Sequence, residues 1–84
     1  KPNEYFKFTK LLKSKIKTRD NFSCQICTEI EVKLCVHHID YDKKNNSELN
    51  LITLCLSCHG KTNSERETWM LYFSDKLAKI KEHV

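Results

Sequence analysis

Val36-His37-His38-Ile39-Asp40 lies between two Cys-x-x-Cys pairs, Cys24-Gln25-Ile26-Cys27 and Cys55-Leu56-Ser57-Cys58, the second running straight into His59. Three of the four histidines and all five cysteines fall between Cys24 and His59. From Glu31 to Ile39 the residues alternate: Val32, Leu34, Val36 and His38 point one way, Lys33, Cys35, His37 and Ile39 the other. With its β-branched content this predicts a strand. A regular strand puts the adjacent histidines on opposite faces, which gives them different surroundings and different tasks. Asp40 to Leu49 is polar and predicts a returning loop, and Leu49 to Leu54 predicts a second strand, antiparallel to the first in a hairpin.

The flanks read as helices. Phe8, Leu11, Leu12 and Ile16, with Tyr5 a turn earlier, lie at helical spacing over residues 5–19, and Lys10, Lys13 and Lys17 fall on the other side. Asp20-Asn21 is a helix stop. Cys55-Leu56-Ser57-Cys58-His59 opens a further helix, on which His59 and Asn63 share a face. Ser64 with Glu67 forms a capping-box pattern, and Trp69, Phe73, Leu77, Ile80 and Val84 repeat at the helical period. Trp69 and Phe73 read as core. The chain divides into a basic helix (1–20), a cysteine- and histidine-rich core (21–63) and a C-terminal helix (64–84), all within one α+β domain.

An 84-residue chain has a small core and gains from a metal, disulfides or a partner. An odd cysteine count, two pairs spaced by two residues and no signal-peptide pattern favour a metal site in a reducing compartment over a secreted disulfide framework. Cys24, Cys27, Cys55 and Cys58 supply the complete shell of a tetrahedral structural zinc, which leaves no open position for catalysis. Cys35 is left over as a small mid-strand side chain, and His83 as a surface residue. No apolar run is long enough to span a bilayer, and the paired cysteines point to an intracellular, reducing compartment. A chain that opens on Lys1 reads equally as a trimmed piece or as the end of a longer protein.

The net charge is +4, and it is concentrated at one end. Residues 1–19 hold seven basic groups against Glu4, a net +6. Such a block suits a nucleic acid or an acidic membrane surface, and equally a solvated helix face.

His37, His38, Asn50, His59 and Asn63 are not accounted for by zinc. Arg19-Asp20 precedes Cys24-x-x-Cys27; then come Val36-His37-His38-Ile39, Asn50-Leu51-Ile52-x-Leu54-Cys55-x-x-Cys58-His59 and Lys61-Thr62. In this order the chain resembles the HNH endonucleases over roughly residues 16–63. The resemblance implies a small ββα-metal (His-Me finger) fold with flanking helices and a structural zinc. It further implies metal-dependent hydrolysis of double-stranded DNA to 5′-phosphate and 3′-hydroxyl ends. Position by position, His38 matches the general base, and His37 and His59 match the ligands of one catalytic divalent metal. Asn50 matches the middle asparagine that braces the loop and orients the base, and Asn63 takes the place of a further ligand.

One common version of the motif has Asp where His37 stands, with Asp40 close enough here to assist. Two imidazoles favour Mn²⁺, Ni²⁺, Co²⁺ or Zn²⁺, whereas an Asp-containing site suits Mg²⁺. The lysines of residues 7–17 (Lys7, Lys10, Lys13 and Lys17 among them), Arg19, Lys43, Lys44 and Lys61 are candidates for phosphate contacts. A non-catalytic zinc-ribbon-like module that binds nucleic acid is the main rival, and a protein-interaction zinc domain the second. The 27 residues between the cysteine pairs, filled by the histidine motif, count against a compact finger.

Overall fold

The computed structural model describes residues 8–82, with side chains to Ile80. Lys1, Tyr5, Lys7, His83 and Val84 lie outside the described residues. The elements are α1 (Lys10–Arg19), β1 (Leu34–His38), a 3-10 turn (Glu48–Asn50), β2 (Leu51–Cys55), α2 (Leu56–Lys61) and α3 (Arg66–Glu82).

Helix α1 starts later than its apolar spacing predicts, because Thr9 caps it. The Thr9 hydroxyl accepts the Leu12 N–H at 3.1 Å. The helix stops where expected: Asp20 is the C-cap, and Asn21 sits at φ 58°. Phe22 N–H bonds Lys17 C=O and Asn21 N–H bonds Thr18 C=O, the paired closure of a Schellman motif. Ile16 is fully buried, with Phe8 and Leu12 packed beside it, but Leu11 is 81% exposed. Leu12 and Ile16 are one turn apart and set the buried face. Leu11 lies about 100° round the helix from Leu12, on the solvent side.

Strand β1 is shorter than the predicted 31–39. The chain is still turning at Thr28 (φ 67°), the Cys24 N–H bonds Glu29 C=O at 3.0 Å, and Val32 remains exposed. The hairpin forms as expected, antiparallel, with Val36 opposite Thr53 and His37 opposite Ile52. Its faces are distinct. Val36 and Leu51 pack on Ile16 of α1, whereas Ile39, Ile52 and Leu54 pack with Cys24, Phe73 and Leu77. Covered on both sides, every residue of β2 is buried. Leu49 falls in the 3-10 turn and is exposed, so β2 begins at Leu51 and not at residue 49. In α3 the predicted stripe is realised: Phe73 and Leu77 are buried, with Trp69 and Ile80 packed against the same core. The Ser64 capping box is not. The helix starts at Arg66, and Glu65, at φ 53°, offers its carbonyl to the Trp69 N–H.

Arg19 and Asp20 tie α1 to the hairpin. Arg19 holds both Asp20 carboxylate oxygens at 2.8 and 3.0 Å and reaches the Glu48 and Leu51 carbonyls at 2.8 and 2.7 Å. Asp20 also accepts the buried Thr53 N–H at 2.9 Å. Asp20→Ala removes the buried carboxylate and strands both donors. It is expected to cost about 3 kcal/mol, read from urea unfolding of the metal-loaded protein. A loss below about 1 kcal/mol would show the pair to be dispensable.

Candidate metal centre and catalytic cavity

The Sγ atoms of Cys24, Cys27, Cys55 and Cys58 lie within 4.8 Å of one another, with Cys27 and Cys55 at 3.7 Å. Four thiolates at Zn–S bonds of about 2.3 Å around one tetrahedral ion would be about 3.8 Å apart. Each pair is built as a knuckle. The Ile26 and Cys27 N–H groups point at Cys24 Sγ, at 3.4 and 3.5 Å, and the Cys58 N–H points at Cys55 Sγ at 3.4 Å. Burial would raise the Cys24 thiol, but hydrogen bonds from the neighbouring backbone outweigh it and bring its pKa to about 6. Burial and then the surrounding sulfurs push Cys58 up to about 12. Four close thiols resist ionising together, and a bound divalent cation removes that resistance. These cysteines are positioned to hold one metal ion. Cys35 stands apart: its thiol is half-buried and directed at Leu54 C=O at 3.4 Å.

A second site opens elsewhere on the hairpin. A cavity of about 570 Å³ is lined by Phe8, Val36, His37, His38, Tyr41, Lys43, His59, Asn63 and Arg66. It brings together four of the residues singled out for chemistry, His37, His38, His59 and Asn63. His37 is buried between Tyr41 (ring centres 4.9 Å apart), His59 (5.2 Å) and Phe73 (5.5 Å). Burial, then the neighbouring His59 and His38 rings and Arg66, hold its pKa down to about 4. The ring is therefore neutral at pH 7. Its Nε2 is sealed from solvent and has no hydrogen-bond partner among the described residues. An orphaned buried nitrogen is costly unless something binds it. Two imidazoles on one ion, with metal–nitrogen bonds of about 2.1 Å, have ring centres about 5 Å apart. The donor set and spacing of His37 and His59 fit a divalent metal. Asn63 does not share a helical face with His59 as expected, because α2 ends at Lys61. It lies in the following turn, with its N–H on Gly60 C=O at 3.4 Å, and still lines the cavity.

His38 comes from the opposite face of β1, as alternation predicts. Phe8 lies against it at 4.6 Å, and its Nε2 meets Asn46 Oδ1 at 2.8 Å. Asn50 is buried and braces the loop below. Its Oδ1 accepts the Asp40 N–H at 3.0 Å, its Nδ2 bonds Asp40 Oδ1 and Asn45 C=O, both at 2.9 Å, and its carbonyl accepts the Ile39 N–H at 2.7 Å. Asp40 is engaged entirely in this loop, where Asn45 Nδ2 and the Asp42 N–H bind its two oxygens, so it is no assistant to His37.

Burial pushes the Asp40 carboxyl up, but the hydrogen bonds from Asn45, Asp42 and Asn50 hold it below its ordinary value of 3.8. Its contribution to stability is therefore complete above that value and is lost only as the pH falls through the lower folded one. The midpoint of the Asp40 carboxyl ¹³C titration should fall below its ordinary value of 3.8. A titration midpoint above that would contradict the brace.

The basic residues divide. Lys43 lines the cavity, and Lys13 Nζ lies 4.5 Å from the centre of the Phe8 ring. Lys10 and Lys44 are exposed, and Lys17 is half-buried on α1. Lys61 lines a separate groove beside the thiols. Arg19 departs from expectation, since four of its N–H directions are used inside the fold, which leaves it a clamp and not a phosphate contact. Sequence inspection missed Arg66, Tyr41 and Asn46. Arg66 lies over the Tyr41 ring at 4.5 Å at the cavity wall, and Tyr41 (φ 63°) donates its hydroxyl to Thr62 C=O at 2.6 Å. Arg66 is one of only two arginines and follows the second cysteine pair closely, the one signal that could have found it.

A two-stranded antiparallel hairpin followed by a helix, with paired histidines and a neighbouring four-cysteine site, defines a ββα-metal type of domain. The family model of the HNH endonuclease matches residues 24–65, half of the chain, so the chain belongs to the HNH endonuclease family, whose domains act on nucleic acid. The chain is also similar to anaredoxin from Nostoc sp. strain PCC 7120, 35% identical over 48 residues. That match covers 55% of this chain and 63% of the relative's length. No solved structure matches the chain. No helix among the described residues is long and apolar enough to cross a membrane.

Proposed function

We propose that this chain is a metal-dependent endonuclease that hydrolyses phosphodiester bonds of double-stranded DNA, with a structural zinc on Cys24, Cys27, Cys55 and Cys58. The observation that carries the proposal is the unpartnered Nε2 of buried, neutral His37, which sits beside His59 in the cavity that also holds His38. His37 and His59, with Asn63 beside them, would hold a single divalent ion. When bound, that ion supplies charge neutralisation on the phosphate oxygens and on the departing 3′ oxygen.

His38 acts as general base. Its imidazole takes a proton from the attacking water. The water oxygen bonds to phosphorus as the P–O3′ bond breaks, and the departing O3′ takes a proton from solvent, which gives 5′-phosphate and 3′-hydroxyl ends. Asn50 keeps the Asp40–Asn50 loop closed under His38. Lys43 and Arg66 at the cavity wall, with Lys10, Lys13, Lys17 and Lys44, meet the DNA backbone, which gives affinity without sequence reading. Lys61, beside the thiols, is the outlying contact.

The test is incubation of the zinc-loaded protein with supercoiled plasmid and Mg²⁺, Mn²⁺, Co²⁺, Ni²⁺ or added Zn²⁺ in turn. Nicked or linear product with ligatable 5′-phosphate ends is expected with at least one ion. Salt-dependent binding without cleavage under any ion would replace this proposal with that of a non-catalytic nucleic-acid-binding module.

A further inference from the structure

We infer that Asn46 is a positioning residue for His38: it fixes the ring in the Nε2–H tautomer and so makes Nδ1 the atom that takes the proton from water. A neutral imidazole has one N–H and one lone pair, so a nitrogen that meets an acceptor oxygen must carry the hydrogen. His38 Nε2 meets Asn46 Oδ1 at 2.8 Å, while His38 Nδ1 has no hydrogen bond to another described residue. The imidazole is thereby sorted into a donor end and a free basic end.

Asn46 is well held for this task. It is buried, and the loop is fastened immediately before and after it. Asn45 bonds Asp40 Oδ2 through its side chain and Asn50 Nδ2 through its carbonyl, both at 2.9 Å, while the Asn50 N–H bonds Ser47 C=O at 2.9 Å. Phe8 lies against the same imidazole, ring centres 4.6 Å apart. On attack the water proton moves to Nδ1, and the resulting imidazolium keeps its Nε2–H on the neutral amide oxygen. No proton passes to Asn46, whose oxygen dipole stabilises the new charge.

The catalytic part of this inference rests on the nuclease proposal; the tautomer does not. Ring ¹⁵N correlation spectra of the zinc-loaded protein with no second ion should show His38 protonated at Nε2 and bare at Nδ1. A signal from the Nδ1–H form would overturn the inference, whether or not the protein cuts DNA. In plasmid cleavage, Asn46→Leu should lower kcat about tenfold or more while KM stays within about twofold. Asn46→Asp, which keeps the acceptor oxygen, should restore most of the loss. Full activity in a folded, zinc-loaded Asn46→Leu variant would also overturn the assignment. Should that variant fail to fold, Asn46→Ser and the spectrum of the unaltered protein still decide it.

Discussion

Replacing His38 with alanine is expected to lower plasmid cleavage by about 10²–10⁴-fold, the range associated with a positioned general base. Zinc content and far-UV circular dichroism should be unchanged. The separation is possible because His38 lies on the face of β1 away from the Phe73 core and contributes to neither cysteine pair. His38 is half-buried, and the bond it gives up is to Asn46, in the loop braced by Asn50. Rates measured with the second ion saturating isolate the proton-transfer step from metal binding. A folded His38→Ala protein that cuts within about threefold of the unaltered one would remove His38 from the mechanism.

Chelation of an ion bound at the four cysteines is expected to unfold the domain. Structural zinc in small domains is worth on the order of 10 kcal/mol or more at pH 7, which exceeds or rivals the whole stability of a chain this size. The cysteines join the turn before β1 to the end of β2 and the first turn of α2, and Cys24, Cys55 and Cys58 are themselves part of the core around Phe73. Without a cation, the sulfur cluster favours protonation at Cys58 and leaves the two knuckles with no tie. Loss of the helical circular dichroism signal on chelation, restored by one equivalent of Zn²⁺, is the expected result, and Cys55→Ser should fail to fold. A chelated protein that retains its cooperative thermal transition would show the hydrophobic core to be sufficient alone. Elemental analysis of the same sample distinguishes zinc from iron, which a four-sulfur site also accepts.

Much of this arrangement is legible in local sequence because it depends on local rules. Cys-x-x-Cys spacing determines a knuckle, alternation assigns His37 and His38 to opposite faces of β1, and helical spacing places Phe73 and Leu77 in the core. Failures come where tertiary contacts override local pattern. Arg19 sits in a basic helix and looks like a phosphate contact, yet the buried Asp20 beside it and the carbonyls of Glu48 and Leu51, distant in sequence, engage its guanidinium. Asn63 has helical spacing from His59, but α2 ends first, where Thr62 turns its hydroxyl back onto His59 C=O at 2.7 Å. Asn46 lies in a polar run, Lys43-Lys44-Asn45-Asn46-Ser47, in which each residue reads as loop. Its role exists only because Asp40 and Asn50 close that loop beneath His38.

The central claim is that His37 and His59 hold a second divalent ion, separate from the four-cysteine site, and that hydrolysis depends on it. The most direct test titrates Mn²⁺ or Ni²⁺ into zinc-loaded protein and follows bound metal and plasmid cleavage together. The prediction is one further ion per chain, with cleavage rising in step with its uptake. Both should be lost together in His37→Ala while the zinc remains. Cleavage that is complete before any second ion binds, or a second ion that binds as tightly to His37→Ala, would contradict the claim.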